Sequence, residues 1–445
     1  MPKNGDAVSS RKQEINQRLT SVDGRAPVEK IAKHVKMASN AFVFYRGSSQ
    51  LFYADLKSGL LSLPAVFSDV PHTMLMGDCH LSNFGFLTEE GSHGDRIIFA
   101  PNDFDDACVG QAVWDIARFA ISLKLAADYG RQVAAGQVAS DEKYLGKATV
   151  DPAQTLQAMQ AFIDAYMAVC QLSINDSELL SQAIDDCSEL SILTKPYQKA
   201  LRRSAGGQEF TVKSSLAKAV QWDASTIKFK TDNTKFTVLS NELYQDIEHT
   251  FAPYVDDHIL DIVERIGSGT GSLNMSRYYL LVGPANFQGT NDLALCHIVE
   301  VKKQRKAAPL YHFTELSPVN RLNPAHLTVQ CQRRMQRSPD LVLDEVEWQG
   351  DYWLVRSRHH AKVGIDPEDV VLGKKAAHKQ GFIAYANVCG EALALAHCRG
   401  DRRSSRFETQ MLKALTQSKV ALLETCLQYA KQVEQDTEHL VSLLG

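Results

Sequence analysis

The chain contains no run of 18 apolar residues, so no membrane-spanning helix and no membrane partner are expected. No apolar stretch follows the charges of Met1-Pro2-Lys3-Asn4-Gly5-Asp6, which leaves a secretory leader without a signal and makes the cytoplasm the expected location. No C-x-x-C occurs among the nine cysteines, whose odd number and scatter predict reduced thiols, not a disulfide framework or a sulfur-held metal. Charge of one sign is also lacking: 48 Lys and Arg stand against 52 Asp and Glu, so no global field draws nucleic acid or anionic lipid. With 26 Gly and 14 Pro in 445 residues, collagen-like and low-complexity chains are excluded. There is no repeat at solenoid periods. What is left is a folded globular chain long enough for two or three domains.

Hydrophobic periodicity divides it. Val28, Ile31, Ala32, Val35 and Ala38 recur at helical spacing behind Pro27, predicting a helix over 27–40 within a helical extension of residues 1–40. Residues 41–194 carry the aromatic run Phe42-Val43-Phe44-Tyr45 before Arg46-Gly47, short strands at 72–76 and 96–100, and helices at 111–129, 152–172 and 177–193. Lys and Arg thicken over 195–235 around Gly206-Gly207, marking 195–257 as an insertion or lobe connection whose basic surface is either solvated or open to an anionic substrate. Residues 258–358 read as β-rich. Ile262-Val263 runs into Gly267-Ser268-Gly269-Thr270-Gly271-Ser272, strands at 278–282 and 295–301 flank a turn-rich 286–292, and a helix at 324–336 precedes strands at 341–347 and 352–358. These make a small lobe of mixed sheet plus one helix. Residues 359–445 return to helix, with 407–444 the longest stretch. The fold class is α+β, a β-rich lobe embedded between helical parts.

The densest reactive cluster is Gly77-Asp78-Cys79-His80-Leu81-Ser82-Asn83, followed downstream by Asn102-Asp103-Phe104-Asp105-Asp106, each after a short apolar strand. Crowded carboxylates repel one another unless a cation sits among them, and an all-oxygen set suits magnesium better than zinc. Phosphoryl transfer needs a carboxylate on the acceptor hydroxyl, an Asn and an Asp on magnesium, a Lys on the phosphates and a glycine turn above them. Asp78 and Asn83 stand five positions apart, the base-to-ligand spacing of a kinase catalytic loop, and Asp103-Phe104 supplies the second ligand. Gly267 and Gly269 close a strand where amides reach phosphate, and Val299-Glu300-Val301-Lys302 ends an apolar strand in a Lys. Beside this stands a structural reading, in which Asp78, Asn83 and Asp103 cap turns at strand ends.

These segments, with Ala107 and Trp114-Asp115, resemble the G-D-x-H-x-x-N, D-F-x-x-A and following x-D of aminoglycoside phosphotransferase-like and other kinase-like small-molecule kinases. From about residue 35 to 400 the chain also resembles the bacterial domain-of-unknown-function family 2252. The matching segments are Phe42 to Gly47, the two acidic loops, Arg265-Ile266-Gly267-Ser268-Gly269, Val301-Lys302, Cys331-Gln332-Arg333 and Cys389 to His397.

The kinase-like resemblance implies Asp78 facing the acceptor hydroxyl, with His80 orienting that loop or acting on substrate. Asn83 and Asp103 would hold Mg2+, and Asp105 would share the metal or cap the next turn. Lys302 would meet the α/β phosphates of ATP, with Gly267 and Gly269 over them. Arg46 would bind phosphate or pair with a carboxylate, and Asp115 would fix the catalytic-loop backbone. Gln332 and Glu315 are the candidate partners of Lys302.

The order is inverted, because the catalytic loop precedes the glycine turn and the Lys, and the helix ending at His397 resembles the one that leads into a catalytic loop. The resemblance therefore implies a protein-kinase-like two-lobe fold in circularly permuted order. The expected activity is ATP- and Mg-dependent phosphate transfer to a hydroxyl or amine of a small-molecule acceptor. AMP transfer on the same fold and a nucleotide-binding interaction module without turnover are the alternatives. A metal-dependent phosphoesterase using Asp78, His80, Asp103 and Asp105 is a more distant one.

Overall fold

From Ile116 to Ala127 every residue but Lys124 is buried, Arg118 and Ser122 included, so the helix they belong to, Val113–Ala134, is covered all round instead of along one stripe. The computed structural model describes residues 4–89, 91, 94–232, 234–267, 275–358, 360–401 and 404–445. Around that central helix pack Pro152–Asn175, Gly381–Gly400 and the 39-residue Arg406–Leu444. Asp151 and Gln154 cap the start of the 152–175 helix reciprocally, with Pro152 in its first turn. That helix and Gly381–Gly400 meet at Gly390, where a Cβ would lie 2.2 Å from the Phe162 carbonyl oxygen, so only glycine permits the approach. Among the described residues no helix is long and apolar enough to cross a membrane. The nine cysteines are free and buried.

Short strands ride on this helical lobe. β1 (Thr73–Leu75) pairs antiparallel with β4 (Cys108–Gly110), while β2 (Phe84–Thr88) and β3 (Ile97–Pro101) form an antiparallel hairpin between them. β5 (Val220–Trp222) and β6 (Ile227–Phe229) form a separate hairpin. The large sheet comprises β7 (Phe236–Thr237), β8 (His258–Arg265), β9 (Arg277–Gly283), β10 (His297–Lys303), β11 (Asp344–Trp348) and β12 (Asp351–Ser357) in the order β11-β12-β10-β9-β8-β7. β13 (Val363–Gly364) returns to the helical lobe and extends the β2–β3 hairpin.

The fold is α+β, and the large sheet is buried on both faces. On one side Tyr278, Val301 and Val355 pack with Ile247 and Phe251 of the helix Asn241–Phe251. On the other, Val263, Tyr279, Leu281 and Ile298 pack with Phe210, Phe229 and Phe236 of the preceding segment. The helix Pro324–Met335 sits beyond them, Val329 against Leu343 and Leu354.

Several expectations are corrected. The large sheet is wholly antiparallel, not mixed, and two helices flank it instead of one. No helix spans 177–193: Ser177–Ser181 is a 3-10 turn, after which the Ile184 carbonyl accepts from Phe99 N–H at 2.7 Å and is drawn to the edge of β3. The 27–40 helix is broken, since Lys30 adopts φ +53° after the 3-10 turn Pro27–Glu29. Two short helices follow, Ala32–Met37 and Ala41–Gly47, the second capped by Asn40. β10 begins at His297, because Leu295 ends a 3-10 segment and is 61% exposed.

Candidate functional site

The first acidic loop turns on Gly77, at φ +75°, where a Cβ would come within 1.8 Å of the Asp106 carbonyl oxygen. Only glycine lets the two acidic loops lie this close. The Asp115 carboxylate accepts from the N–H groups of Met76 (2.7 Å) and Gly77 (3.1 Å) and meets His397 Nε2 at 3.1 Å. The other ring nitrogen of His397 meets the Tyr166 hydroxyl at 2.9 Å, and Thr73 Oγ1 donates to the His397 carbonyl at 2.7 Å. Four segments remote in sequence are thereby tied together below Asp78.

Arg118 is fully buried, stacked on Tyr45 and Phe52, and its Nε donates to Asp78 Oδ1 at 2.8 Å. Asp78 Oδ2 lies 3.8 Å from His80 Nε2, and Asn83 Nδ2 donates to the Asp78 carbonyl at 2.9 Å. His80 Nδ1 accepts from Ser82 N–H, and burial, helped by Arg46 and Arg118, pushes the ring well below its ordinary pKa, so it is neutral. The β2–β3 hairpin then carries the chain from Asn83 back to Asp103, with Asn102 N–H donating to the Asn83 carbonyl at 3.0 Å.

Lys302, on β10, is 1% exposed, and its Nζ pairs with Asp105 Oδ2. Arg356 Nη1 stands 3.9 Å from Asp105 Oδ1, an oxygen that has no hydrogen-bond partner among the described residues. Glu300, two positions before Lys302 and on the same face, accepts from Arg277 (2.9 Å) and Arg356 (2.8 Å). Among the described residues Asp103 Oδ1 accepts a single 3.2 Å bond, from Asp105 N–H, and Lys362 Nζ donates to the Asn102 carbonyl at 3.2 Å. Asp106 faces away, accepting from Ala308 N–H and Arg305.

The two neighbouring carboxylates are driven apart. Desolvation, then Asp105, pushes Asp103 up to about 6 against the pull of Lys302, Lys362 and Arg356. Burial also opposes ionisation of Asp105, but Lys302 and Arg356 outweigh it and hold that carboxyl well below the usual range. Arg46 lies over the Phe42 ring, 5.5 Å from its centroid, in the field of Asp78 and Asp103, with no partner for its Nε.

Asp78, His80, Asn83, Asp103, Asp105, Lys302 and Arg46 are thus brought into one region. Gly267 lies two residues past the end of β8 at φ +66° with no atom within 4 Å of a built Cβ, and Gly269 lies outside the described residues. Neither candidate partner of Lys302 reaches it. Glu315 pairs with Arg321 on the surface at 2.9 Å, and the Gln332 amide donates to Gln336.

Arg118, Glu300, Arg356 and Lys362 belong to the region but were not anticipated. Arg118 shares a helix face with Asp115 at i,i+3, and Glu300 alternates with Lys302 along a strand, so both carried a readable signal. Among the described residues no three His, Cys, Asp or Glu side chains form a metal cage, so a cation here would need further oxygens from a ligand or water. A cavity of about 620 Å³, lined by His72, Thr73, Arg333, Arg334, Arg399 and Asp401 among others, opens at the other end of β1 and shares none of these residues.

The chain belongs to the family described as an uncharacterized protein conserved in bacteria (DUF2252), whose model matches residues 25–443. No curated protein and no solved structure matches it.

Proposed function

We propose that the protein is an ATP- and Mg-dependent phosphotransferase with a protein-kinase-like fold in circularly permuted order, acting on a hydroxyl or amine of a small molecule. The observation that carries this is the burial of Lys302 against Asp105, one residue beyond Asp103-Phe104 and 197 positions away in the chain. Two further features support it. The strands after the basic segment run β8-β9-β10-β12-β11 across the sheet, with the helix Pro324–Met335 inserted between β10 and β11. The helix Gly381–Gly400 ends against Thr73, whose Oγ1 would lie 2.4 Å from a Cβ on Gly400, so the end of a late helix abuts the start of the strand that leads to Asp78.

In this mechanism Arg118 anchors one oxygen of Asp78 and leaves the other for the acceptor hydroxyl, which it orients. His80, neutral and held by Ser82, shapes that loop. Asn83 and Asp103 would hold Mg2+, whose charge neutralises the phosphates. The donor set fits, since it is all oxygen, desolvation and the neighbouring Asp105 raise Asp103, and among the described residues Asp105 Oδ1 has no hydrogen-bond partner. Lys302, Arg46 and the turn at Gly267 would bind phosphate oxygens. The acceptor oxygen bonds to the γ-phosphorus as the bridging bond to ADP breaks, and the acceptor proton leaves to solvent or to Asp78.

The second reading, a binding module without turnover, draws on the Lys302–Asp105 pair, because Asp105 occupies the amine that would otherwise meet phosphate. Incubation with ATP, Mg2+ and a panel of hydroxyl and amine compounds distinguishes the cases. ADP release with a phosphorylated product, lost in Lys302→Met, is expected. An adenylylated product means AMP transfer, Mg-ATP binding without any product means the module, and failure to bind Mg-ATP at all refutes the proposal.

A further inference from the structure

The face of the large sheet that carries Lys302 can be read row by row from the strand register. Beside Lys302 stand Arg277 and Leu354, and the next row is Val263, Tyr279, Glu300 and Arg356. The row after that includes Leu281 and Ile298. The apolar members are already used. Val263, Tyr279, Leu281 and Ile298 are each no more than 2% exposed, sealed by Phe210, Phe229 and Phe236, and Leu354 is fully buried under Val329. Tyr279 is closed further by Arg358, which lies over its ring and donates to its hydroxyl at 2.8 Å. What this face still presents beside Lys302 is Arg277, Glu300 and Arg356.

A flat heteroaromatic base gains affinity from an apolar or aromatic slot, and stacking it on a strip of ion-paired charges forfeits that gain and desolvates the charges. A polyphosphate has the opposite needs. Around Asp103 and Asp105 the cations Lys302, Arg356, Lys362 and Arg46 converge, and Arg46 Nε and Asp105 Oδ1 have no hydrogen-bond partner among the described residues, a set of charges that suits a magnesium-bridged chain of phosphates.

We propose that this site recognises its donor through the phosphate chain and not through the base, so that ATP, GTP and inorganic tripolyphosphate bind it on nearly equal terms. This rests on the phosphotransferase reading and names its donor class. Each phosphoanhydride carries the transferable group, so cleavage of the terminal anhydride of any of the three leaves a chain shorter by one phosphate and a phosphorylated acceptor, with atoms balanced as for ATP.

The test is isothermal titration of the full chain with ATP, GTP, sodium tripolyphosphate and adenosine in excess Mg2+, for wild type and for Lys362→Gln. Lys362 is chosen because its side chain is exposed and, among the described residues, its one hydrogen bond is to the Asn102 carbonyl, so the fold does not depend on it. The expected result is dissociation constants for the three phosphate compounds within about threefold, no binding of adenosine, and a common weakening of roughly 10-fold in the variant. ATP binding with GTP and tripolyphosphate at least about 10-fold weaker overturns the inference and leaves the phosphotransferase standing. Unchanged tripolyphosphate affinity in Lys362→Gln also overturns it. If none of the compounds binds, the phosphotransferase proposal falls and takes this one with it.

Discussion

Asp103→Asn isolates the electrostatics of the site. In the wild type this carboxyl is raised from its ordinary value of 3.8 to about 6, by desolvation first and by Asp105 second. A raised acid is a folding penalty: absent while the group is protonated in both states below 3.8, it accumulates as pH rises through the window and is complete above about 6. Two units correspond to at most about 3 kcal/mol, and because part of the shift belongs to the pair with Asp105, about 1–2 kcal/mol is the expected share of Asp103. Asparagine keeps the Oδ1 that accepts from Asp105 N–H and removes the charge.

The variant is therefore expected to be more stable than wild type at pH 7.5, with Tm higher by about 1–4 °C, and to lose about half of that advantage at pH 5. In the same instrument, Mg2+ with ATP stabilises the wild type and leaves the variant where it was. Thermal melts at both pH values, with and without the ligand, give all four comparisons. Should Asp103→Asn be less stable by the same margin at both pH values, Asp103 is a turn cap, and the crowding argument on which the magnesium assignment rests is wrong.

Two substitutions test the frame around the site. Gly77→Ala places a Cβ on the Asp106 carbonyl at a left-handed φ of +75° and is expected to cost at least about 3 kcal/mol by chemical denaturation, whereas a loss below about 1 kcal/mol means the two acidic loops are not in contact. Arg11→Ala, in the helix Asn4–Asp23, strips the cation from Asp55 of the helix Ser49–Ser58 and from Asp436 of the helix Arg406–Leu444, whose side chains are 0% exposed. A loss of about 3–5 kcal/mol is expected, with protease cutting near residue 24, and no change in the urea midpoint refutes the buried triad.

The helical lobe was legible because its signals are local. Asp151-Pro152 with Gln154 announces a helix start, and the apolar spacing of 407–444 continues without a breaker. The 177–193 error has the same origin. Leu179, Leu180, Ile184 and Leu190 do pack on the core, so their spacing reported burial correctly, but Asp176 and Asp186 bond backbone N–H groups two residues on and favour turns over helix. Periodicity tells which side chains go inside and leaves open what the backbone does to take them there. Leu295 and Val35 misled in the opposite sense, since both are apolar and more than half exposed.

The site itself divides along the same line. Asp78, Asn83 and Asp103 could be picked out because their spacing within a loop is chemical information carried by neighbours in sequence. The partner of Lys302 could not, because Glu315 and Gln332 are the candidates near it in the chain, while Asp105 stands 197 positions away and meets it only in the folded chain. Chain order is a poor guide here for a physical reason. The loop bearing Asp78 is held by Asp115, and Asp115 by His397, over separations of 38 and 282 residues. These bonds depend on where the segments end in space and not on which is translated first. Any connectivity that delivers Thr73, Asp115 and His397 to one place closes the same loop, which is why the inverted motif order is no argument against the chemistry that those motifs imply.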